Sequence, residues 1–214
     1  MITVTLIDET KITYKTFEEI VDYYKHQIIE LNCSNNNLTS LPDLIGNLIN
    51  LREFYCDYNK LTSLPESIGK LINLNILYCS DNQLTLLPES IGNLINLNIL
   101  NCKHNKLTFF PDSIGYLTNL EKLYWSYNQI KELPESIGYL VNLKELYYPC
   151  NPIKKLPETI INLRNIKYFY KDELTLTLTS SQQERYFKWI ESNKSYPFEE
   201  HVDTTLVKCA YFGV

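Results

Sequence analysis

Residues 51–73 read LREFYCDYNKLTSLPESIGKLIN, and residues 74–96 read LNILYCSDNQLTLLPESIGNLIN. The second stretch restarts the first after 23 residues. Both follow L-x-x-L-x-L-x-x-N-x-L and then x-x-L-P-x-x-I-x-x-L-x-N, with Phe54 replacing leucine at position 4 and cysteine at position 6. The pattern extends in both directions. A unit starts at Ile28 with Leu31, Cys33, Asn36, Leu38, Leu41, Pro42, Ile45 and Leu48. Further units start at Leu97, Leu120 and Leu143, where position 6 holds Cys102, Trp125 and Tyr148. A seventh attempt at Ile166 keeps Phe169 and Leu176, then breaks down with Lys171 at an inward site and Leu174 in place of asparagine. Such a fixed period marks a tandem repeat, and the repeat decides the fold.

Positions 3 to 6 alternate with period two, so each unit supplies a short strand with one inward face. Stacked units form a parallel sheet with strands about 4.8 Å apart. Positions 1, 4, 6, 11, 14, 18 and 21 then fill one continuous core that no single unit could bury alone. Asparagine at position 9 both donates and accepts, which suits a ladder of side chains bonding the backbone of neighbouring turns. Proline at position 15, followed in most units by Glu66, Glu89, Asp112, Glu135 or Glu158, suits the start of a short helical or 3₁₀ turn on the convex side. Glycines at 46, 69, 92, 115 and 138 mark one turn per unit.

These motifs resemble the leucine-rich repeat family, in the 23-residue intracellular form of Ras-suppressor and scribble-like scaffold proteins. The resemblance covers residues 28–165. The wealth of Asn, Ile, Lys and Tyr is similar to that of leucine-rich repeat proteins of amoebae and of the giant viruses that infect them. The resemblance implies an α/β solenoid with a curved parallel sheet on the concave face, capped at both ends, working as a protein-binding scaffold.

The expected organisation is one structural domain. Residues 1–27 form an N-terminal cap, with MITVTLI and KITY as a hairpin turning at Asp8 to Thr10. Thr16 and Glu19 form a capping box before a helix carrying Phe17, Ile20, Val21 and Tyr24. Six repeats follow at 28–165. Residues 166–194 hold the degenerate unit and a capping helix from Ser181 through Phe187, Trp189 and Ile190. Residues 195–214 form a tail in which TTLVKCAYF reads as a strand, a docked tail or a flexible segment.

Of 214 residues 44% are apolar, and the net charge is −5. That balance argues against a nucleic-acid surface. No apolar run reaches a membrane span, and MITVTLIDETK lacks a signal-peptide pattern. The expected setting is intracellular (host cytoplasm for a viral chain), with cysteines as thiols. Cys33, Cys56, Cys79 and Cys102 form an inward column that reads as small apolar filler, not a disulfide, zinc or redox ladder. Cys150 and Cys209 fall outside it and are expected to be exposed. No nucleotide-binding, zincin or hydrolase motif is present, and His26, His104 and His201 lie too far apart to suggest a catalytic pair. The expectation is no enzyme, no cofactor and no metal. A ligase-like chain would have Cys209 as its lone candidate nucleophile.

Positions 3, 5, 7 and 8 are expected on the concave face. There the sequence places an aromatic stripe: Tyr55, Tyr78, Tyr124, Tyr147 and Tyr170 at position 5, and Tyr58 and Tyr127 at position 8. Ile76, Ile99 and Tyr168 stand at position 3. Tyrosine favours protein interfaces, because its ring buries area while its hydroxyl stays wet. These ten residues are the expected contact set for a protein or peptide partner, with Tyr78→Ala plus Tyr124→Ala weakening binding at nearly unchanged thermal stability. The competing readings are tyrosines that stack only on one another, and a homodimer through this face or a cap edge.

Overall fold

The computed structural model describes residues 1–169 and Lys188. One nine-stranded sheet runs through it in the order β2-β1-β3-β4-β5-β6-β7-β8-β9. β1 (Ile2–Leu6) and β2 (Lys11–Tyr14) form the antiparallel hairpin. β3 (Ile28–Asn32), β4 (Glu53–Tyr55), β5 (Ile76–Tyr78), β6 (Ile99–Asn101), β7 (Lys122–Tyr124), β8 (Glu145–Tyr147) and β9 (Tyr168–Phe169) are parallel, one per unit. Each unit pairs with the next at the same repeat position, as in Tyr55 against Tyr78 and Leu77 against Leu100. Identical spacing leaves no alternative register that buries the same residues.

Between strands the chain returns through 3₁₀ segments at Asp43–Asn47, Glu66–Lys70, Glu89–Asn93, Asp112–Tyr116, Glu135–Tyr139 and Glu158–Asn162. Each starts just after a proline whose extended backbone turns the chain into the segment. The acidic residue behind that proline is exposed. Glu66 nevertheless accepts the Ser90 backbone N–H, and Glu135 accepts that of Thr159, so they tie one coil to the next.

The glycines sit inside these segments with ordinary negative φ, not in left-handed turns. Their reason is close approach. A Cβ on Gly92 would stand 2.6 Å from the Ser113 carbonyl oxygen and 2.7 Å from the Ser113 Cβ. Glycine is therefore the residue that lets adjacent coils touch.

β1 pairs antiparallel with β3 and closes the first coil. Val4 and Ile20, the latter from α1 (Phe17–Tyr24), are fully buried against it. The Thr16 and Lys15 backbone amides donate to the Glu19 carboxylate at the start of α1. The degenerate unit beyond Phe169, the helix expected from Ser181 and the 195–214 tail lie outside the described residues.

The core is one column of leucine, isoleucine and position-6 side chains. Cys33, Cys56, Cys79 and Cys102 are buried free thiols. Burial pushes the Cys33 thiol up to about 12 and raises the other three well above the ordinary thiol value, so they are poor nucleophiles. They do more than fill space: the Cys56 and Cys79 thiols donate to the Tyr78 and Asn101 carbonyls of the following coil, at 3.3 and 3.4 Å. Trp125 takes over the column between Phe110 and Tyr148, with ring centroids 5.3 and 5.1 Å away. Cys150 departs from the expectation of an exposed thiol. It is half-buried and disulfide-bonded.

Candidate functional site: the concave face

Positions 3 and 5 of β4 to β8 face the concave side, because positions 4 and 6 are locked in the core. Tyr55, Tyr78, Tyr124 and Tyr147 are brought onto this face, but they are half-buried rather than fully exposed. Asn101 stands between Tyr78 and Tyr124 in register, so the stripe divides into two pairs. The Tyr55 and Tyr78 rings meet edge to face with centroids 5.4 Å apart. Lys103 lies over the second pair, its Nζ 4.8 Å from the Tyr124 ring centroid and 5.0 Å from that of Tyr147. This cation–π contact was not legible in the sequence. Burial draws the Lys103 ammonium below its ordinary value, against the opposing pull of Asp81.

The hydroxyls are tied down as well. Tyr55 donates to Glu53 at 2.7 Å, and Tyr124 donates to Glu145. Glu145 also pairs with Lys122 at 2.9 Å. Burial, and then the hydrogen bond to a carboxylate, push the Tyr55 and Tyr124 hydroxyls well above the usual tyrosine range. Burial works to raise the Glu145 carboxyl, but the Tyr124 and Lys122 hydrogen bonds and the Lys122 charge outweigh it and hold it low. These tyrosines are therefore part of the packing. The expectation that alanine at Tyr78 and Tyr124 leaves stability nearly unchanged is corrected: it removes ring contacts and strands Glu145 without one of its donors.

Ile76 and Ile99 are adjacent in register at position 3 and half-buried. With Tyr78, Tyr124, Asn101 and Lys122 they make up the middle of the concave face. The Asn101 carbonyl oxygen accepts the Lys103 backbone N–H at 3.3 Å. Its amide N–H₂ has no acceptor among the described residues.

Position 7 departs from the expectation of an open concave site. Asp57, Ser80, Ser126 and Pro149 are buried there. The Ser80 backbone N–H and hydroxyl both donate to Asp57 at 2.8 Å. Burial still raises the Asp57 carboxyl overall. Position 8 has φ between 50° and 59° in Tyr58, Asp81, His104, Tyr127 and Cys150. A non-glycine residue in this left-handed region costs roughly 1–2 kcal/mol. The turn throws Tyr58 outward, where it is 59% exposed, while Tyr127 is half-buried and stacks on His104 at 4.2 Å. Tyr168 enters the sheet opposite Glu145, and Tyr170 lies outside the described residues.

Among the described residues no three or more His, Cys, Asp or Glu side chains gather as they would around a metal ion. No helix among them is long and apolar enough to cross a membrane.

The repeat geometry is matched by known proteins. Solved structures similar to it include a leucine-rich repeat protein of Leptospira interrogans, with 32% identity and a TM-score of 0.55 over 72% of this chain and 45% of that one. A TDR receptor shares 29% identity at a TM-score of 0.59, over 64% of this chain and 25% of its own. The plant peptide hormone receptor RGFR1, solved in complex with RGF2, shares 27% identity at 0.54, over 64% and 27%. The chain thus spans less than half the length of each. No curated protein matches the sequence. A family model described as a leucine-rich repeat region matches residues 15–128, and a single-repeat model matches 119–140. The chain belongs to the leucine-rich repeat family.

Proposed function

We propose that the protein is a non-enzymatic binding module whose concave face receives an extended segment of a protein or peptide partner. The observation that carries this reading is the mixed apolar and polar surface at the middle of the concave face. Two half-exposed isoleucines and an amide without an acceptor sit between two rigid tyrosine pairs, so apolar and hydrogen-bonding contacts are offered side by side. The rings are already fixed by Glu53, Glu145 and Lys103, so little side-chain freedom is lost on binding. The similarity to a peptide hormone receptor supports the same reading. Of the ten expected contact residues this reading centres on Ile76, Ile99, Tyr78 and Tyr124, with Tyr58 and Tyr127 at position 8 beside them. The 23-residue repeat form is the feature that supports a scaffold-like role of the Ras-suppressor and scribble kind.

The test uses peptides selected on the full chain from a random displayed library. Asn101→Arg fills the middle of the face from a half-exposed position and leaves the tyrosine hydroxyl bonds to Glu53 and Glu145 in place. Selected peptides are expected to lose tenfold or more in affinity for Asn101→Arg at an unchanged melting temperature. Selection that yields no binders, or binders indifferent to Asn101→Arg, overturns the assignment.

A further inference from the structure

The two tyrosine pairs of the concave face are one construction repeated three units apart. Tyr55 and Tyr78 stand at position 5 of the second and third units, and Tyr124 and Tyr147 at position 5 of the fifth and sixth. In each pair one hydroxyl donates to a position-3 glutamate, Tyr55 to Glu53 and Tyr124 to Glu145. Lys103, which covers the second pair, is position 7 of the fourth unit. Three repeats earlier, the residue in its place is Ser34. The backbone is built alike at both. Asn32 Oδ1 accepts the Ser34 N–H at 3.0 Å, as Asn101 Oδ1 accepts the Lys103 N–H at 3.3 Å. The following residue is left-handed in each case, with φ of 58° at Asn35 and 50° at His104. A serine side chain is too short to cover two rings. Among the described residues no cation lies over Tyr55 or Tyr78.

The charge around the two pairs differs in the same sense. Beside the second pair Glu145 is matched by Lys122 at 2.9 Å, and Lys103 adds its own ammonium. Beside the first pair Glu30 and Glu53 are neighbours in register, and both bear on the Tyr55 hydroxyl. Neither glutamate belongs to an ion pair among the described residues. Lys11 stands two strands from Glu30, across Thr5, and the Met1 ammonium is held by the Asn36 amide oxygen. Like charges directly opposite on neighbouring strands are destabilising, so a cation brought to this place relieves them. Tyr55, Tyr78, Glu30 and Glu53 are all half-exposed and open to one.

We propose that Tyr55 and Tyr78, flanked by Glu30 and Glu53, receive a lysine or arginine side chain from a basic segment of the partner, as Tyr124 and Tyr147 receive Lys103. This rests on the binding role proposed above and deepens it by naming the partner's chemistry. The cation sits over the ring faces, within about 6 Å of their centroids, with the carboxylates beside it. A net charge of −5 favours encounter with a basic segment. The chain's own Lys103 repels a second cation from the other pair, so the basic residue is directed to one end of the face. The two pairs thereby fix the direction in which the segment lies.

Peptides selected on the full chain from the random displayed library are the probes. The binders are expected to share a lysine or arginine. Replacing it by methionine, an uncharged chain of similar length, is expected to weaken binding about tenfold or more. Ser34→Lys supplies the cation from the chain itself. It is expected to weaken the same binders about tenfold or more without lowering the melting temperature. In NMR spectra its ε-methylene protons are expected to move upfield under the tyrosine ring currents, as those of Lys103 do. Binders without a basic residue, or binders that tolerate its neutral replacement, overturn the proposal. So does a Ser34→Lys side chain that shows no ring-current shift. Binders that respond to Asn101→Arg but not to Ser34→Lys remove this inference and leave the general binding role standing. A selection that yields no binders removes both.

Discussion

At the scale of single residues, asparagine at position 9 carries the greatest structural weight per side chain. Asn82 accepts the Leu61 N–H through its carbonyl oxygen at 3.0 Å, and its amide donates to the carbonyls of Cys56, Cys79 and Ser80. It is buried, so no water replaces these partners. Removing it leaves backbone groups of two coils unsatisfied, and each such group costs about 1–3 kcal/mol. Asn82→Ala is therefore expected to lower unfolding free energy by about 3 kcal/mol in urea titration, given those costs and some relaxation. A loss below about 1 kcal/mol, the net value of one ordinary hydrogen bond, would contradict the ladder. This role was legible in the sequence, because the spacing and the amide chemistry point the same way. The pairing of Lys103 with two rings was not. Position 7 is aspartate, serine or proline in neighbouring units, and nothing in a lysine's sequence context says which ring it will cover.

At the scale of the element, each three-residue strand divides its side chains between core and concave face by parity alone. Alternation therefore identified the right face. It did not identify how crowded that face is, since crowding arises between strands that are 23 residues apart. The paired hydroxyls make the face sensitive to alkaline pH. Tyr55 and Tyr124 hold their protons more tightly folded than unfolded, chiefly through burial and then through the Glu53 and Glu145 carboxylates. Their contribution is fully present below the ordinary tyrosine value of about 10 and is lost as pH rises above it. Melting temperature is expected to fall as pH rises past about 10 and to keep falling toward the raised folded values, less steeply in Tyr124→Phe. Equal slopes would show that Tyr124 is not linked to folding. Glu145 has the opposite sign: its stabilisation is lost as pH drops below the usual carboxylate range.

At the scale of the whole molecule, stability is a sum over neighbouring coils, since each coil touches only the one before and the one after. Deleting residues 74–96 joins Asn73 to Leu97 and preserves the repeat pattern across the new junction. The shortened chain is expected to unfold cooperatively in urea, with a lower midpoint and a denaturant slope reduced by roughly a tenth. A non-cooperative transition would mean that the third unit is needed for more than stacking. The N-terminal cap belongs to this scale as well. β1 reverses direction against β3 and presents an antiparallel hairpin where another parallel coil would otherwise be needed.

The sequence by itself determined the solenoid, its register, the inward cysteine column and the concave placement of the tyrosines. The reason is periodicity: a 23-residue repeat lets the same local choice be read six times over. Tertiary structure alone decided what those positions mean to one another. It turned the glycines from turn markers into points of close approach, and it buried position 7 at Asp57, Ser80, Ser126 and Pro149 while laying Lys103 over two tyrosine rings. It divided the tyrosine stripe at Asn101. Each of these depends on the roughly 4.8 Å separation between coils, which places residues 23 apart in van der Waals contact and sets their exposure.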